Sequence, residues 1–255
     1  MTDGPLPGKG ARLDFMAPLS ASRANRLAAD LAAREPATVI DVGCGWGELL
    51  LRVVEACLGA RGVGVDTHEP DLSRGRANAA ARNLSERVTF VHAPAAGHGG
   101  VADVVVNVGA HHAFDGMPAA LGALHGMVQP GGCLLFGAEY WERPPTPERL
   151  AHMWPGTTAG ECTDLAGLVD AAIAAGFRPV RIETATRGEW EEFESGFAAD
   201  REEWLAAHPH HPEAGDVRAA LDATRSIWLR GHRDVMGFAY LTLARTDPTP
   251  PERLG

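Results

Sequence analysis

Residues 41–47 read Asp-Val-Gly-Cys-Gly-Trp-Gly. Three glycines at alternate positions follow an apolar run and precede a helical pattern. Glycine reaches positive φ freely and lets a ligand approach the backbone, so such a loop can hold a bound molecule. The helix beyond it offers unpaired N–H groups and the positive end of its dipole. Two acids accompany the loop. Asp41 stands just ahead of it, where a carboxylate can face a cationic group, and Asp66 closes the next apolar run, Gly-Val-Gly-Val-Asp at 62–66. A carboxylate at the end of a second strand can accept both hydroxyls of a ribose. Later stretches carry groups able to move a proton. His111 and His112 lie in Asn-Val-Gly-Ala-His-His-Ala-Phe-Asp at 107–115. Being adjacent, they diverge in an extended loop, so at most one faces a given pocket; either titrates near neutral pH. Glu139, in Gly-Ala-Glu-Tyr-Trp-Glu-Arg-Pro-Pro at 137–145, is a second candidate base. Tyr140 and Trp141 beside it can wall a pocket or hold a cation.

The surrounding pattern alternates strand and helix. Ser20–Ala33 has Leu27 and Leu31 at helical spacing, with Ser20 or Ser22 as N-cap. Strands are expected at Thr38–Val42, Gly62–Asp66, Val88–His92, Asp103–Val108, Cys133–Gly137, Pro179–Glu183 and Phe238–Ala244. Helices are expected over Trp46–Leu58, Asp71–Leu84, Pro118–Val128 and Leu165–Ala175, with a Gln129-Pro130-Gly131-Gly132 turn ahead of the fifth strand. This alternation implies right-handed crossovers and a mainly parallel sheet. Ligands of such sheets bind at the carboxyl ends of the strands, which directs attention to the loops after Asp41, Asp66, His92, Val108 and Gly137.

A dinucleotide turn spaces its glycines Gly-x-Gly-x-x-Gly, whereas here the third comes one residue early. An acid that can face an ammonium and an acid for a ribose fit S-adenosylmethionine better than a pyrophosphate. With VIDVGCGWGELL, GVGVD, the Gln-Pro-Gly-Gly turn and the ordered strands in place, the stretch from about Ser20 to Phe177 resembles the class I S-adenosylmethionine-dependent methyltransferases. Pro18–Ser20, Tyr140–Pro145 and the tryptophan-rich tail resemble a bacterial subgroup acting on small molecules. The resemblance implies a Rossmann-like, doubly wound α/β fold. Its sheet would be mainly parallel and seven-stranded, with an antiparallel last strand and a helical insertion before it. It implies that Gly43, Cys44, Gly45 and Gly47 line the methionine part of the cofactor, with Asp41 alongside, and that Asp66 binds the ribose. Thr67 and His68 would border the adenosine, Pro94 and Ala95 would lie at the adenine, and Asn107 and Gly109 would face the cofactor from the fourth strand. Many relatives carry Gly-Asp after strand three, with the Asp on the adenine amino group. Here Val91-His92-Ala93-Pro94-Ala95 holds no acid, which leaves adenine to backbone groups, apolar packing or His92. Methyl transfer would release S-adenosylhomocysteine, with His111, His112 or Glu139 as base. A cyclase, lyase or decarboxylase using the same cofactor, and a non-catalytic binding module, are the alternative functions.

The chain has 255 residues, enough for a sizeable core, and is read as one domain. Residues 1–33 would be an N-terminal helical segment, 38–185 the cofactor core, 189–235 a helical insertion and 236–245 the last strand. In the insertion, Trp190, Phe193, Phe197 and Trp204 recur at helical spacing, and a second helix is expected from about Asp216 to Arg230. With Phe15, Met16 and Leu19 it is expected to cap the site, and Phe15, His112, Tyr140, Trp141, Trp190, Phe193 and Trp204 are the candidate acceptor-binding residues. Residues 189–235 hold eleven acids and five arginines, a large part of the net charge of −10. That balance argues against nucleic acid as a partner and points to a neutral or cationic small acceptor. Cys44, Cys57, Cys133 and Cys162 form no Cys-x-x-Cys pair and read as reduced thiols. The His208–His211 cluster is broken by proline, so no metal site is expected. No apolar run has the length of a membrane span and the N-terminus has no signal-peptide pattern. A cytoplasmic monomer or homodimer is the expected state.

Overall fold

The computed structural model describes residues 6–246, and contacts divide the chain into two compact units. One, the sheet unit, comprises Ser20–Glu139, Leu165–Thr184 and, among the described residues, 238–246. The other, the helical unit, comprises, among the described residues, 6–19 with Tyr140–Asp164 and Ala185–Gly237. Residues 140–164, read from the sequence as part of the core stretch, thus cluster with the helical insertion.

The sheet unit contains seven strands in the order β3-β2-β1-β4-β5-β7-β6. They are β1 (Thr38–Val42), β2 (Arg61–Asp66), β3 (Val88–His92), β4 (Ala102–Val108), β5 (Val128–Trp141), β6 (Phe177–Thr184) and β7 (Met236–Arg245). The sheet is mostly parallel, and β7 runs antiparallel to β6. Hydrophobic β-branched runs account for the buried inner strands: Val39, Ile40 and Val42 of β1 and Val104, Val105 and Val106 of β4 are all buried. The helices are α1 (Ala21–Ala32), α2 (Glu48–Ala56), α3 (Glu69–Ala81), α4 (Met117–Met127), α5 (Pro147–Ala151), α6 (Leu165–Ala174), α7 (Arg187–Ala207) and α8 (Ala214–Ser226). Ser20 caps α1 by accepting from the Arg23 N–H, and Ala24, Leu27, Ala28 and Leu31 form its buried stripe. Glu48, buried at the start of α2, is held by Arg52 at 2.8 Å and Arg82 at 2.6 Å.

The Gln129–Gly132 turn is the chief departure from the expected elements. It is drawn into β5, which runs unbroken with Gly131 at φ +81°. The register passes from Ala102↔Val128 to Val104↔Cys133, so β5 carries a bulge opposite the start of β4. Register also fixes the site: Asp41 lies between Gly64 of β2 and Val106 of β4, Asp66 pairs with His92, and Val108 pairs with Gly137. The loops that carry the candidate residues therefore leave one edge of the sheet together.

In the helical unit, α7 opens with a capping box: the Thr186 hydroxyl accepts from the Glu189 N–H, and the Glu189 carboxylate accepts from the Thr186 N–H. The expected Asp216–Arg230 helix ends earlier as α8, and a π turn follows at Ile227–His232. Trp204 packs with Val217 and Leu221. A second cluster joins Trp141, Met153, Val235 and Met236, with Trp190 against it. Among the described residues no helix is long and apolar enough to cross a membrane.

Candidate active site

The loop after β1 is built by its glycines. Gly43, Gly45 and Gly47 have φ of +75°, +53° and +68°, the left-handed region that side chains resist. Gly43 and Cys44 donate to the Val65 carbonyl, at 2.8 and 3.1 Å, which folds the loop over the end of β2. A Cβ on Gly43 would lie 2.2 Å from Ala110 Cβ, and one on Gly47 would lie 2.5 Å from the Phe90 ring. Gly45 differs: a Cβ there would meet no heavy atom within 4 Å. Two glycines are thus required by the protein's own packing, and the third borders open space.

Asp66 ties this loop to the next. One of its oxygens accepts from the Gly45 N–H at 2.8 Å and the other from the His68 N–H at 2.9 Å. Each oxygen retains a lone pair, so the half-exposed carboxylate is oriented without being used up. Asp41 is buried, and burial, reinforced by Asp66, pushes its carboxyl up to about 8. At neutral pH it is largely protonated and ready to ionise when a cation comes close. Burial together with the same two acids pushes the Cys44 thiol up, so it stays protonated and is no nucleophile.

Asn107 is fully buried on β4. Its amide nitrogen donates to the Val42 carbonyl at 2.8 Å, while its Oδ1 is buried with no hydrogen-bond partner among the described residues. Gly109, at φ +71°, donates to the Gly137 carbonyl and turns the chain out of β4. At the other end of the strip, Thr67 and His68 are exposed, and His92 sits 2.9 Å from the Thr67 carbonyl through Nε2. Pro94 is exposed and leads into a single 3₁₀ turn whose first residue, Ala95, is buried.

His111–Ala113 form a 3₁₀ turn in place of the expected extended loop, and the two imidazoles lie edge to face with centroids 6.1 Å apart. His111 turns inward, with a side chain 20% exposed, while His112 is exposed. His111 Nδ1 lies 3.7 Å from Glu139 Oε2, close enough for an ion pair and too far for a hydrogen bond. The same Nδ1 is buried and has no hydrogen-bond partner among the described residues. Burial holds the imidazole below its ordinary range; Glu139 acts upward against it, and His112 lowers it further. Burial thus favours the neutral imidazole of His111, and the Glu139 carboxylate beside it favours the protonated one.

The aromatic candidates lie in the helical unit. Phe15, Tyr140, Trp141 and Trp204 are buried there, and Trp190 and Phe193 half-buried. Tyr140 donates its hydroxyl to Glu142 at 3.3 Å, and Trp141 donates its indole N–H to the Ala159 carbonyl at 2.9 Å. Trp204 is stacked with His208 and packed in the α7–α8 core, the position of a structural side chain. Sequence reading missed His232, which is 2% exposed and 3.0 Å from Glu194. Trp154 stacks flat on its ring, with centroids 5.2 Å apart. No spacing rule joins Trp154, Glu194 and His232; only the folded chain does. Among the described residues no group of three His, Cys, Asp or Glu side chains is placed to hold a metal ion.

With this geometry in view, comparison with known proteins is informative. A family described as a methyltransferase domain matches residues 39–132. The curated protein YjhP of Escherichia coli, itself uncharacterised, is 29% identical over 212 residues, 80% of this chain and 83% of its own. The solved structure of YjhP superposes with a TM-score of 0.82 at 26% identity, covering 92% of this chain and 96% of that one. An S-adenosylmethionine-dependent methyltransferase from Geobacter sulfurreducens, solved with S-adenosyl-L-homocysteine, gives a TM-score of 0.81 at 26% identity over 91% of this chain and 93% of its own.

Proposed function

We propose that this chain, a class I Rossmann-like S-adenosylmethionine-dependent methyltransferase, transfers a methyl group to an oxygen or nitrogen of a small molecule. What carries the reading is the combination of an open face at Gly45, an oriented Asp66 and an unpartnered buried oxygen on Asn107. These features fit the cofactor. Gly43, Cys44, Gly45 and Gly47 would line its methionine end, and Asp66 would accept the ribose hydroxyls. Asp41 and Asn107 would supply a carboxylate and a carbonyl oxygen toward cationic or N–H groups. Thr67, His68, Pro94 and Ala95 would border the adenosine, and Gly109 would face the cofactor from the end of β4. The bound cofactor supplies an electrophilic methyl group on a sulfonium.

The chain's own part in the reaction is to position and to move one proton. An in-line displacement needs the acceptor atom about 3 Å from the methyl carbon, with its proton removed as the bond forms. His111, neutral because of burial, accepts that proton, and Glu139 stabilises the imidazolium that results. His112 follows His111 in the same turn and is a candidate for contact with the acceptor.

Calorimetric titration with S-adenosylmethionine, set against NADH, tests the cofactor. Binding of NADH alone would overturn the reading. Mass analysis of products tests the chemistry: an acceptor heavier by one methylene supports transfer, and a converted substrate of unchanged mass refutes it.

A further inference from the structure

Phe90, at the centre of β3, is buried and enters none of the roles above. Its ring lies against three glycines from three separate elements. A Cβ on Gly47, the N-cap of α2, would stand 2.5 Å from the ring. One on Gly75, inside α3, would stand 2.7 Å from it, and one on Gly64, its neighbour across the β2–β3 register, 3.1 Å. All are closer than packed carbon atoms settle. Glycine is a poor choice for the interior of a helix or a strand. Gly75 sits on the buried stripe of α3 with Leu72 and Ala79, where alanine would suit the helix better. The glycines at 64 and 75 weaken their own elements and admit one aromatic ring.

The same packing grips the loop after β1. Cys44 Sγ lies over Gly64, 2.8 Å from where a Cβ would stand. The Trp46 carbonyl oxygen lies 2.9 Å from the Cβ position of Gly75, so the backbone of α3 meets the backbone of the loop directly. The Trp46 indole, itself buried, lies under the Arg74 guanidinium with 4.0 Å to the ring centroid, a second contact from α3. Gly45 stands between these points, with open space at its Cβ position and its N–H donated to Asp66. The loop is held at 44, 46 and 47 and left open at 45.

We propose that Phe90 and Gly75 are positioning residues for the cofactor. The ring of one and the missing side chain of the other set where the glycine loop lies over β2 and α3, and with it the fit of the methionine end of S-adenosylmethionine. This rests on the reading that the loop holds that end. Both residues are buried and act through the loop's backbone. A leucine at 90 leaves space beside Gly47 and Gly75 unfilled, so the loop loses its support. An alanine at 75 meets the Trp46 carbonyl and the ring together, and the loop must shift. A binding site tolerates only a few tenths of an ångström of such movement.

Calorimetry on the full chain with S-adenosylhomocysteine and methylthioadenosine tests this. The second ligand keeps the adenosine and lacks the amino-acid end. Phe90→Leu and Gly75→Ala are each expected to lower S-adenosylhomocysteine affinity about tenfold and to leave methylthioadenosine within about twofold of the parent. A merely structural role would weaken both ligands alike. Val88→Ala, buried on the same strand, is the control: it should lower the melting temperature through its cavity and leave both affinities unaltered. Gly45→Ala separates this proposal from the reading beneath it. If Gly45→Ala binds S-adenosylhomocysteine as the parent does, the loop is not the cofactor loop and both fall. If Gly45→Ala weakens binding while Phe90→Leu or Gly75→Ala does not, the positioning role alone is overturned. Equal losses of both ligands in either variant, or a selective loss in Val88→Ala, would overturn it too.

Discussion

At the residue scale, the roles proposed for Asp66, Asp41 and His111 each make a separate prediction. Asp66→Ala removes the acceptor for the Gly45 and His68 N–H groups and, in the proposed role, for two ribose hydroxyls. Binding of S-adenosylmethionine should weaken by about 1–3 kcal/mol, measured by calorimetry. The carboxyl of Asp41, at about 8, lies above its unfolded value. Its contribution to stability is therefore full at acid pH and is lost as pH rises toward 8. Melting of the unliganded protein should show this fall, and Asp41→Asn should flatten it. Ionisation of Asp41 by a cationic ligand should release most of a proton near pH 7, read from titrations in buffers of different ionisation enthalpy. For His111, burial sets the pKa below the ordinary histidine range, so the acid limb of activity should lie below pH 6.5. Since Glu139 raises this pKa, Glu139→Gln should move the limb lower still, and His111→Gln should lower kcat without altering cofactor affinity.

The glycine loop shows how an element divides its residues between folding and binding. Gly43→Ala places a methyl against Ala110 and demands positive φ of a non-glycine residue. Together these should cost about 2–4 kcal/mol, seen as a large fall in melting temperature. Gly45→Ala meets no neighbour, so its stability cost should be limited to the backbone penalty of about 1–2 kcal/mol. Its larger effect should fall on S-adenosylmethionine affinity, because the added methyl occupies the open face. Equal damage to stability from both substitutions would argue that the space at Gly45 has no ligand. The element pattern was readable where periodicity was local: β3 appears with the expected bounds, and α1 carries the expected Ser20 cap and Leu27–Leu31 stripe. It failed at Gln129–Gly132, where turn-forming residues are held in β5 by pairing with β4, a partner distant in sequence. It also failed at Ile227–His232, where a helical pattern gave no warning of a π turn.

At the scale of the whole molecule, the division into two units makes a prediction that composition does not. Trp204 is packed against Val217 and Leu221 inside the helical unit, while the candidate cofactor residues from Asp41 to Gly109 all belong to the sheet unit. Trp204→Ala should therefore cost about 3–5 kcal/mol of stability, measured by chemical denaturation. At temperatures where the variant remains folded, its affinity for S-adenosylmethionine should stay within about twofold of the parent. The net charge of −10 points to a neutral or cationic acceptor only as an average.

The sequence by itself determined the strand–helix alternation, the glycine loop and the acids at 41 and 66, because these depend on local period, backbone freedom and short spacing. Tertiary structure alone decided which residues acquire altered chemistry. Asp41 holds its proton because β2 and β4 flank it and water is excluded. His111, rather than His112, turns inward to meet Glu139. His232 joins Glu194 and Trp154 across 38 and 78 residues of chain. Burial and encounter are properties of the packed chain, and no spacing rule encodes the dielectric that a side chain will meet.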